Sequence, residues 1–289
     1  MSSPSVTPFT APFSAPFSAA GRPELTSGRR VGVLVVHGFT GAPDSVLAWA
    51  KDLADRGYAV EAPLLPGHGT TWQDLNRTTW EDWYAEVTRA HAVLAAENDV
   101  VVAAGLSMGG ALVLQLAADQ GDRLAGVAVV NPAVSTRRKD VLALPLIKHV
   151  LGSFPGIRSD VAKEGVEEIG YDRTPLRAAH SMMRHWKVLR QDLVRVTAPI
   201  LFFKSDVDHV VDSSSVEVIR RQVSGEFTLV PLHRSFHVAT LDHDAPEILS
   251  RTASFVAEVA GLTSADDGAP SRRAAGDDVA GDGQPSSTQ

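Results

Sequence analysis

The chain has 289 residues, of which 44% are hydrophobic and 21% charged, and its formal net charge at pH 7 is −7. This length suffices for one large α/β domain or for a domain with an insertion, and the composition is typical of a soluble globular protein. An acidic chain without a basic stripe argues against binding to nucleic acid or to an anionic membrane. The absence of cysteine excludes a disulfide framework and a thiolate metal site, and we expect a cytoplasmic protein.

The two ends of the chain differ in composition from its centre. Residues 1–26 begin with repeated prolines, including a doubled Ala-Pro-Phe-Ser, and lack the charged and apolar regions of a secretory signal. They predict an extended or disordered N-terminal lead. Residues 263–289 are rich in Gly, Ala, Asp, Ser and Pro, which predicts a disordered tail. No apolar run reaches the length of a transmembrane segment.

Short apolar strands alternate with helices in the first half of the chain. The predicted strands are Val31–Val36, Tyr58–Ala62, Val100–Ala104 and Gly126–Val130. The predicted helices are Pro43–Arg56, Trp80–Glu97 with Thr79 and Asp82 as a capping box, and Gly110–Ala118. This alternation predicts a mostly parallel sheet covered by helices on both faces. In such a sheet the active site lies at the carboxyl ends of the strands.

The alternation breaks between about residues 132 and 196, a gap far longer than one crossover helix needs. Amphipathic segments at Val141–Leu151 and Pro175–Leu193 indicate a small helical cap inserted over the strand ends. The elements predicted after the gap are the strand Pro199–Phe203, the helix Ser214–Gln222, the strand Glu226–Val230 and the helix Pro246–Ala260. We therefore predict a core formed by residues 27–134 and 196–262, with a cap of residues 135–195.

The segment Gly105-Leu106-Ser107-Met108-Gly109 reads G-x-S-x-G between a predicted strand and a predicted helix. In that context the pattern predicts a nucleophile elbow, a sharp turn that exposes the serine. The two glycines remove side chains that would collide in such a turn. The N-terminus of the following helix directs free N–H groups and its positive dipole end at the serine.

A serine nucleophile needs a general base, and the base needs an orienting acid. In this kind of fold the three follow the order Ser, Asp or Glu, His along the chain. Asp208 is the preferred acid, because the loop turns back into apolar residues there, and Asp206 remains the alternative. His237 is the preferred base, because its apolar neighbours Phe236 and Val238 would bury and hold the ring.

Three other histidines compete with His237. His233 and His243 have polar neighbours and are expected to be solvated, while His209 abuts Asp208 and would point away from it on an extended loop. Asp206, Asp208 and His209 are residue types that bind metals, but no metal-binding motif accompanies them, so we expect no metal. Acyl transfer also needs oxyanion donors, and we expect the N–H groups of Met108 and Phe39.

Five motifs together resemble the bacterial α/β-hydrolase carboxylesterases, and among them the monoacylglycerol lipases of bacillus type. They are His-Gly-Phe-Thr-Gly at 37–41, Pro-Gly-His-Gly at 66–69, Gly-Leu-Ser-Met-Gly-Gly at 105–110, Ser-Asp-Val-Asp-His-Val-Val at 205–211 and Phe-His-Val-Ala-Thr-Leu-Asp at 236–242. The resemblance covers roughly residues 28–260. It implies the α/β-hydrolase fold and an enzyme that cleaves carboxylic esters, and monoacylglycerols in particular, without a cofactor.

The resemblance also implies roles for individual residues. Ser107 would be the nucleophile, Asp208 the acid, His237 the base, and Phe39 and Met108 the oxyanion hole; this favours Asp208 over Asp206. Glu168 resembles the glutamate with which the family binds the glycerol hydroxyls. The cap before Glu168 departs from the family pattern, with Arg137-Arg138-Lys139 near its start, and this leaves the size of the substrate open.

Other functions are compatible with the same sequence. A short-chain carboxylesterase, an acyltransferase, a perhydrolase or a lactonase would use the same fold and the same nucleophile. A ligand receptor without catalytic activity, or an interaction module that uses the two chain ends, would belong to a different class. The sequence does not specify the natural ester, the acyl-chain length or the oligomeric state.

Overall fold

A computed structural model describes residues 15–156 and 159–262; the predicted tail, and the predicted lead up to residue 14, lie outside these ranges. The strands are β1 Phe17–Ala19, β2 Val31–Val36, β3 Ala59–Ala62, β4 Val100–Leu106, β5 Gly126–Val130, β6 Ser153–Pro155, β7 Arg173–Pro175, β8 Ile200–Ser205 and β9 Phe227–Leu232. The helices are α1 Leu47–Asp55, α2 Trp72–Leu75, α3 Trp80–Glu97, α4 Met108–Gln120, α5 Leu144–Ile147, α6 Leu176–Asp192, α7 Ser214–Gln222 and α8 Ala245–Val259.

A seven-stranded sheet in the order β1-β3-β2-β4-β5-β8-β9 forms the centre of the molecule. Its strand pairs are parallel except for β1, which runs antiparallel to β3. The segment that forms β1 was not predicted to be a strand from its sequence. Its three residues pair with Val60–Ala62 and cover an edge that would otherwise present unpaired backbone groups.

Both faces of the sheet are buried under helices. Successive side chains of β2 point to opposite faces, so Val33 and Val35 pack on the side of α1 and α8, while Leu34 and Val36 pack on the side of α3 and α4. Each fully buried side chain of this kind contributes about 1.5–3 kcal/mol relative to exposure. Burial on both faces explains why the strand is a continuous apolar run, and the predicted covered, mostly parallel sheet is confirmed.

The chain leaves this core between β5 and β8 to form the cap. The helix α6 matches the amphipathic segment predicted there, whereas Val141–Leu151 contains only the short helix α5 and a 3₁₀ turn before it. An antiparallel ribbon of β6 and β7 joins the two parts of the cap. The ribbon was not predicted, because three-residue strands that each contain a proline carry no alternating pattern. None of the helices in the described ranges has the length and apolar character needed to cross a membrane.

Candidate active site

Ser107 lies at the sharp turn between β4 and α4. Its backbone has φ 53° and ψ −113°, a conformation that costs free energy for a residue with a side chain and persists only where the surroundings impose it. The surroundings are backbone atoms at close range. A Cβ atom on Gly109 would lie 2.1 Å from the carbonyl oxygen of Val36, and one on Gly105 would lie 2.5 Å from the carbonyl carbon of Gly109. The two glycines thus allow the close approach that forms the elbow.

The structure brings His237 and Asp208 together at the ends of β9 and β8. The Nδ1 atom of His237 lies 3.0 Å from Oδ1 and 3.1 Å from Oδ2 of Asp208. Both side chains are buried, and His237 lines the same cavity as Ser107. Because Nδ1 is held by the carboxylate, Nε2 is the ring nitrogen left to exchange a proton with the serine.

Asp208 is a buried carboxylate with several partners. Besides His237, it accepts hydrogen bonds from the N–H groups of Val210 and Val211 and pairs with the ammonium of Lys204 at 2.9 Å. Burial by itself raises the pKa of Asp208, but the hydrogen bond from His237 and the nearby charges of His237 and Lys204 outweigh it and hold the pKa well below its usual range. Asp208 is therefore ionised at neutral pH.

The competing residues lie elsewhere. The side chain of Asp206 is 55% exposed, against 2% for Asp208, and pairs with His233 at 2.6 Å. His243 is exposed, and the Nδ1 atom of His209 lies 2.7 Å from Asp160, a residue of the cap. Within the described ranges, no group of three His, Asp or Glu side chains is arranged to hold a metal ion.

The proposed oxyanion donors lie on two segments that meet at Ser107. The N–H of Met108 is the first of α4 and so belongs to the groups that have no acceptor inside the helix. Phe39 lines the cavity beside Ser107, and a Cβ atom on the neighbouring Gly38 would lie 3.4 Å from Cβ of Ser107. The turn after β2 thus lies next to Ser107, as an oxyanion donor on Phe39 requires.

The side chain of His37 holds the turn after β2 in place through two hydrogen bonds. Its Nε2 atom accepts a hydrogen bond from the N–H of Leu65 at 3.2 Å, so its Nδ1–H is free to donate to the carbonyl of Gly38 at 2.9 Å. Complete burial lowers the pKa of His37 to about 4, which keeps the ring neutral as these two bonds require. The ring of His68 packs edge-on against it. His37 therefore braces the turn.

Glu168 reaches the same cavity from the cap. Its Oε1 atom lies 2.6 Å from the position that a Cβ atom on Gly41 would take, so the glycine makes room for the carboxylate. Among the described residues no group donates a hydrogen bond to it, and its own N–H donates to Ser159. Burial raises the pKa of Glu168 to about 7, although the nearby His237 acts in the opposite direction.

The cavity has a volume of about 530 Å³. Ser107, His237 and Glu168 are among the polar residues that line it. The apolar wall consists of side chains from the cap and from the loop after β8, namely Val141, Leu144, Ile147, Leu176, Ala179, Met182, Met183, Trp186, Val210 and Val211. A site of this size, mostly apolar with a few convergent polar groups, is typical of small-molecule binding.

Two residues next to the proposed catalytic groups were not predicted from the sequence. Lys204 is a single cation at the end of an apolar strand, four residues before Asp208, and that spacing in an otherwise buried strand was a usable signal. Asp160 contacts His209 and His237, which lie 49 and 77 residues away along the chain. No local pattern marks it, since only the tertiary fold creates these contacts.

This fold and this site define the chain as an α/β-hydrolase with a serine nucleophile elbow. The sequence profile of the family described as serine aminopeptidase, S33, matches residues 28–244, and the chain belongs to this family.

Individual relatives agree with the family. The thermostable monoacylglycerol lipase of Bacillus sp. (strain H-257) is 39% identical over 80% of this chain and 92% of its own length. A carboxylesterase of Bacillus subtilis (strain 168) is 26% identical over 73% of this chain and 86% of its own. A solved structure of one of the metagenome-derived lipolytic enzymes LipS and LipT is 38% identical, covers 86% of this chain and 98% of the other, and has a TM-score of 0.80. The predicted α/β-hydrolase fold and the predicted class, a carboxylic ester hydrolase, are confirmed by these matches.

Proposed function

We propose that the enzyme hydrolyses monoacylglycerols through an acyl-enzyme intermediate on Ser107. The observation that carries the proposal is the cavity, which is lined by Ser107, His237 and the Glu168 carboxylate together with an apolar wall. A glycerol ester has hydroxyl groups for the carboxylate and an acyl chain for the wall. The relative that shares 39% identity over 92% of its own length is itself a monoacylglycerol lipase, which supports the same substrate class.

In the first half of the reaction, Ser107 Oγ forms a bond to the ester carbonyl carbon while Nε2 of His237 takes its proton. The carbonyl oxygen becomes an oxyanion between the N–H groups of Phe39 and Met108; loss of one such donor costs about 3–4 kcal/mol of transition-state stabilisation in comparable sites. Asp208 stabilises the imidazolium. When the tetrahedral intermediate collapses, the bond to the glycerol oxygen breaks and glycerol leaves with the proton from His237.

In the second half, water takes the place of glycerol. His237 removes a proton from the water, whose oxygen attacks the acyl carbon, and a second tetrahedral intermediate forms in the same oxyanion hole. Its collapse breaks the bond to Ser107 Oγ, which recovers its proton from His237, and the fatty acid leaves. His237 carries out every proton transfer in this cycle, so the proposed reaction needs no metal and no organic cofactor.

The test is a panel of monoacylglycerols and p-nitrophenyl esters of graded chain length. Ser107→Ala should lower turnover of every ester by a factor on the order of 10⁴ or more while the unfolding transition stays in place. Glu168→Gln should raise KM for monoacylglycerols several-fold and leave the short aryl esters unchanged, because only the glycerol substrates present hydroxyl groups to the carboxylate.

Two outcomes would contradict the proposal. Full turnover by Ser107→Ala, or failure of a fluorophosphonate to label the wild-type serine, would exclude the acyl-enzyme route. Unchanged monoacylglycerol kinetics in Glu168→Gln would remove the glycerol site and leave an esterase of broader specificity. A short-chain carboxylesterase is the second candidate, supported by the Bacillus subtilis relative, and the same panel distinguishes the two by chain-length preference. The cytoplasmic location stays a prediction from the sequence.

A further inference from the structure

Asp160 is a buried carboxylate that belongs to the cap but is bonded to both catalytic loops of the core. Only 7% of the surface of this residue is exposed to solvent. Its Oδ2 atom accepts hydrogen bonds from the N–H of His209 and from the N–H of His237, both at 3.1 Å. Its Oδ1 atom lies 2.7 Å from Nδ1 of His209, and its backbone carbonyl accepts from the N–H of Val238 at 3.0 Å. One cap residue therefore makes four contacts to two loops that follow different strands.

These contacts fall on the residues that set the geometry of the acid and the base. His209 is the neighbour of Asp208, and His237 is the proposed base itself. A single carboxylate oxygen shared between their two N–H groups sets the distance between the two loops. Hydrogen bonds to a carboxylate are about twice as strong as neutral ones, so this bridge is stiff compared with an ordinary loop contact.

A second carboxylate holds the cap segment in place. The side chain of Asp242, from the core, accepts hydrogen bonds from the N–H groups of Ala162 at 2.6 Å and Lys163 at 3.0 Å, and from that of Phe236 at 2.9 Å. Two carboxylates thus hold the cap segment 160–163 to the loop that carries His237. Asp160 of the cap accepts hydrogen bonds from the core backbone, and Asp242 of the core accepts hydrogen bonds from the cap backbone.

We propose that Asp160 is a positioning residue of the active site, which aligns His237 with Asp208 and makes this alignment depend on the seating of the cap segment 160–163. The proposal rests on the proposed function, because it concerns the same three catalytic residues. Asp160 acts through the backbone of His209 and His237. A misplacement of about 1 Å in such a constellation reduces turnover about 100-fold, so loss of the bridge has a kinetic effect larger than its effect on folding.

The chain offers a matched control in Asp212. Its carboxylate accepts hydrogen bonds from the N–H of Arg137 at 2.7 Å and of Ser214 at 2.9 Å, so it also ties the cap to the core through backbone groups. It lines no part of the cavity and bonds neither His209 nor His237. Asp160→Ala and Asp212→Ala each remove backbone bonds between the cap and the core, but only the former removes bonds to His209 and His237.

The experiment measures kcat and KM for a short p-nitrophenyl ester together with thermal unfolding. We expect Asp160→Ala to lower kcat about 100-fold with KM within about twofold, and Asp212→Ala to lose comparable thermal stability with kcat within about twofold. Asp160→Asn keeps one carbonyl oxygen that can accept from the two N–H groups, so it should recover part of kcat. If Asp160→Ala does not fold, the asparagine variant tests the proposal in its place. A kcat within twofold of wild type in both folded Asp160 variants would overturn the proposal.

A readout that is independent of turnover separates this proposal from the proposed function. The proton between His237 and Asp208 gives a far-downfield NMR signal when the two groups are aligned. That signal should shift or disappear in Asp160→Ala and persist in Asp212→Ala. If the wild-type enzyme hydrolyses no ester while the signal still responds to Asp160 alone, the proposed function fails and the positioning role stands. An unchanged signal in Asp160→Ala overturns the positioning role.

Discussion

At the scale of single residues, two aspartates two positions apart have opposite environments. Asp208 is buried against His237 and Lys204, whereas Asp206 faces solvent and pairs with His233. An exposed ion pair contributes little to stability, but a buried carboxylate depends on its partners to stay charged. The burial of Asp208 and its cation and N–H partners thus give it the ionised state that an orienting acid needs. Glu168 shows the reverse: it is a half-buried residue whose carboxyl lines the cavity and has its pKa raised to about 7.

We predict that Glu168→Gln stabilises the protein in a pH-dependent way. A carboxyl whose pKa is about 7 when folded and near 4.3 when unfolded opposes folding as its proton is lost, so stability falls as the pH rises between these values. The glutamine variant should match wild type near pH 4 and exceed it at pH 8.5 by about 1–3 kcal/mol. Urea unfolding at the two pH values measures this difference.

The exposed neighbour Glu164 provides the control for that measurement. It lies on the same cap segment with its surface open to solvent, so Glu164→Gln should show the same pH dependence of stability as wild type. If the Glu168 and Glu164 variants respond alike, the raised pKa of Glu168 is wrong.

At the scale of elements, the elbow depends on how closely α4 approaches β2. The glycines of this segment make contacts that no side chain would allow, with Gly109 directly over the carbonyl oxygens of Val36 and His37. The same approach directs the N-terminus of α4 at the strand ends, where its free N–H groups and dipole favour an anion. The packing that forms the core therefore also places the N–H of Met108, the proposed oxyanion donor, at the strand ends.

We predict that Gly109→Ala is strongly destabilising. The added Cβ would lie 2.1 Å from a main-chain oxygen of the central sheet, which has no freedom to move, so the cost should be about 3 kcal/mol or more, the upper range for overpacking. The control is Gly152→Ala in the cap, where the new Cβ meets only the ring of Trp72 at 3.2 Å and the change should stay within about 1 kcal/mol. Similar urea midpoints for the two variants would contradict the close approach of α4 to β2.

At the scale of the whole molecule, the active site is shared between two parts of the chain. The core provides Ser107, Asp208 and His237, while the cap provides Glu168 and much of the apolar wall. The two sides of the short helix α5 have different environments: Ile147 lines the cavity, whereas Leu146 is 77% exposed to solvent. We therefore propose that the core holds the chemistry common to the fold and that the cap determines which ester fits.

We predict that Ile147→Trp shifts the chain-length preference. A larger ring on the cavity wall should reduce kcat/KM for long-chain monoacylglycerols about tenfold or more and leave p-nitrophenyl acetate within about twofold, because a short acyl group does not reach the wall. Leu146→Trp places the same ring on the outer face and should alter neither substrate. An equal loss on long and short esters in Ile147→Trp would point to misfolding of the cap instead of a narrowed cavity.

The sequence by itself determined most of the core and the catalytic elbow. The strands Val31–Val36 and Gly126–Val130 and the helix Trp80–Glu97 were predicted with the bounds that the structure shows, because a doubly buried strand is a continuous apolar run and a capping box is a local signal. The elbow motif between a strand and a helix likewise depends only on neighbouring residues.

Only the tertiary structure decided the contacts between distant segments. The ribbon of β6 and β7 pairs residues about 20 positions apart, and the bridges from Asp160 join segments up to 77 residues apart; neither leaves a periodic trace in the sequence. The environments of Asp206 and Asp208 differ because one faces solvent and the other the packed strand ends. Burial and charge at a site are properties of the assembled fold, whereas apolar periodicity and end caps are properties of the local chain.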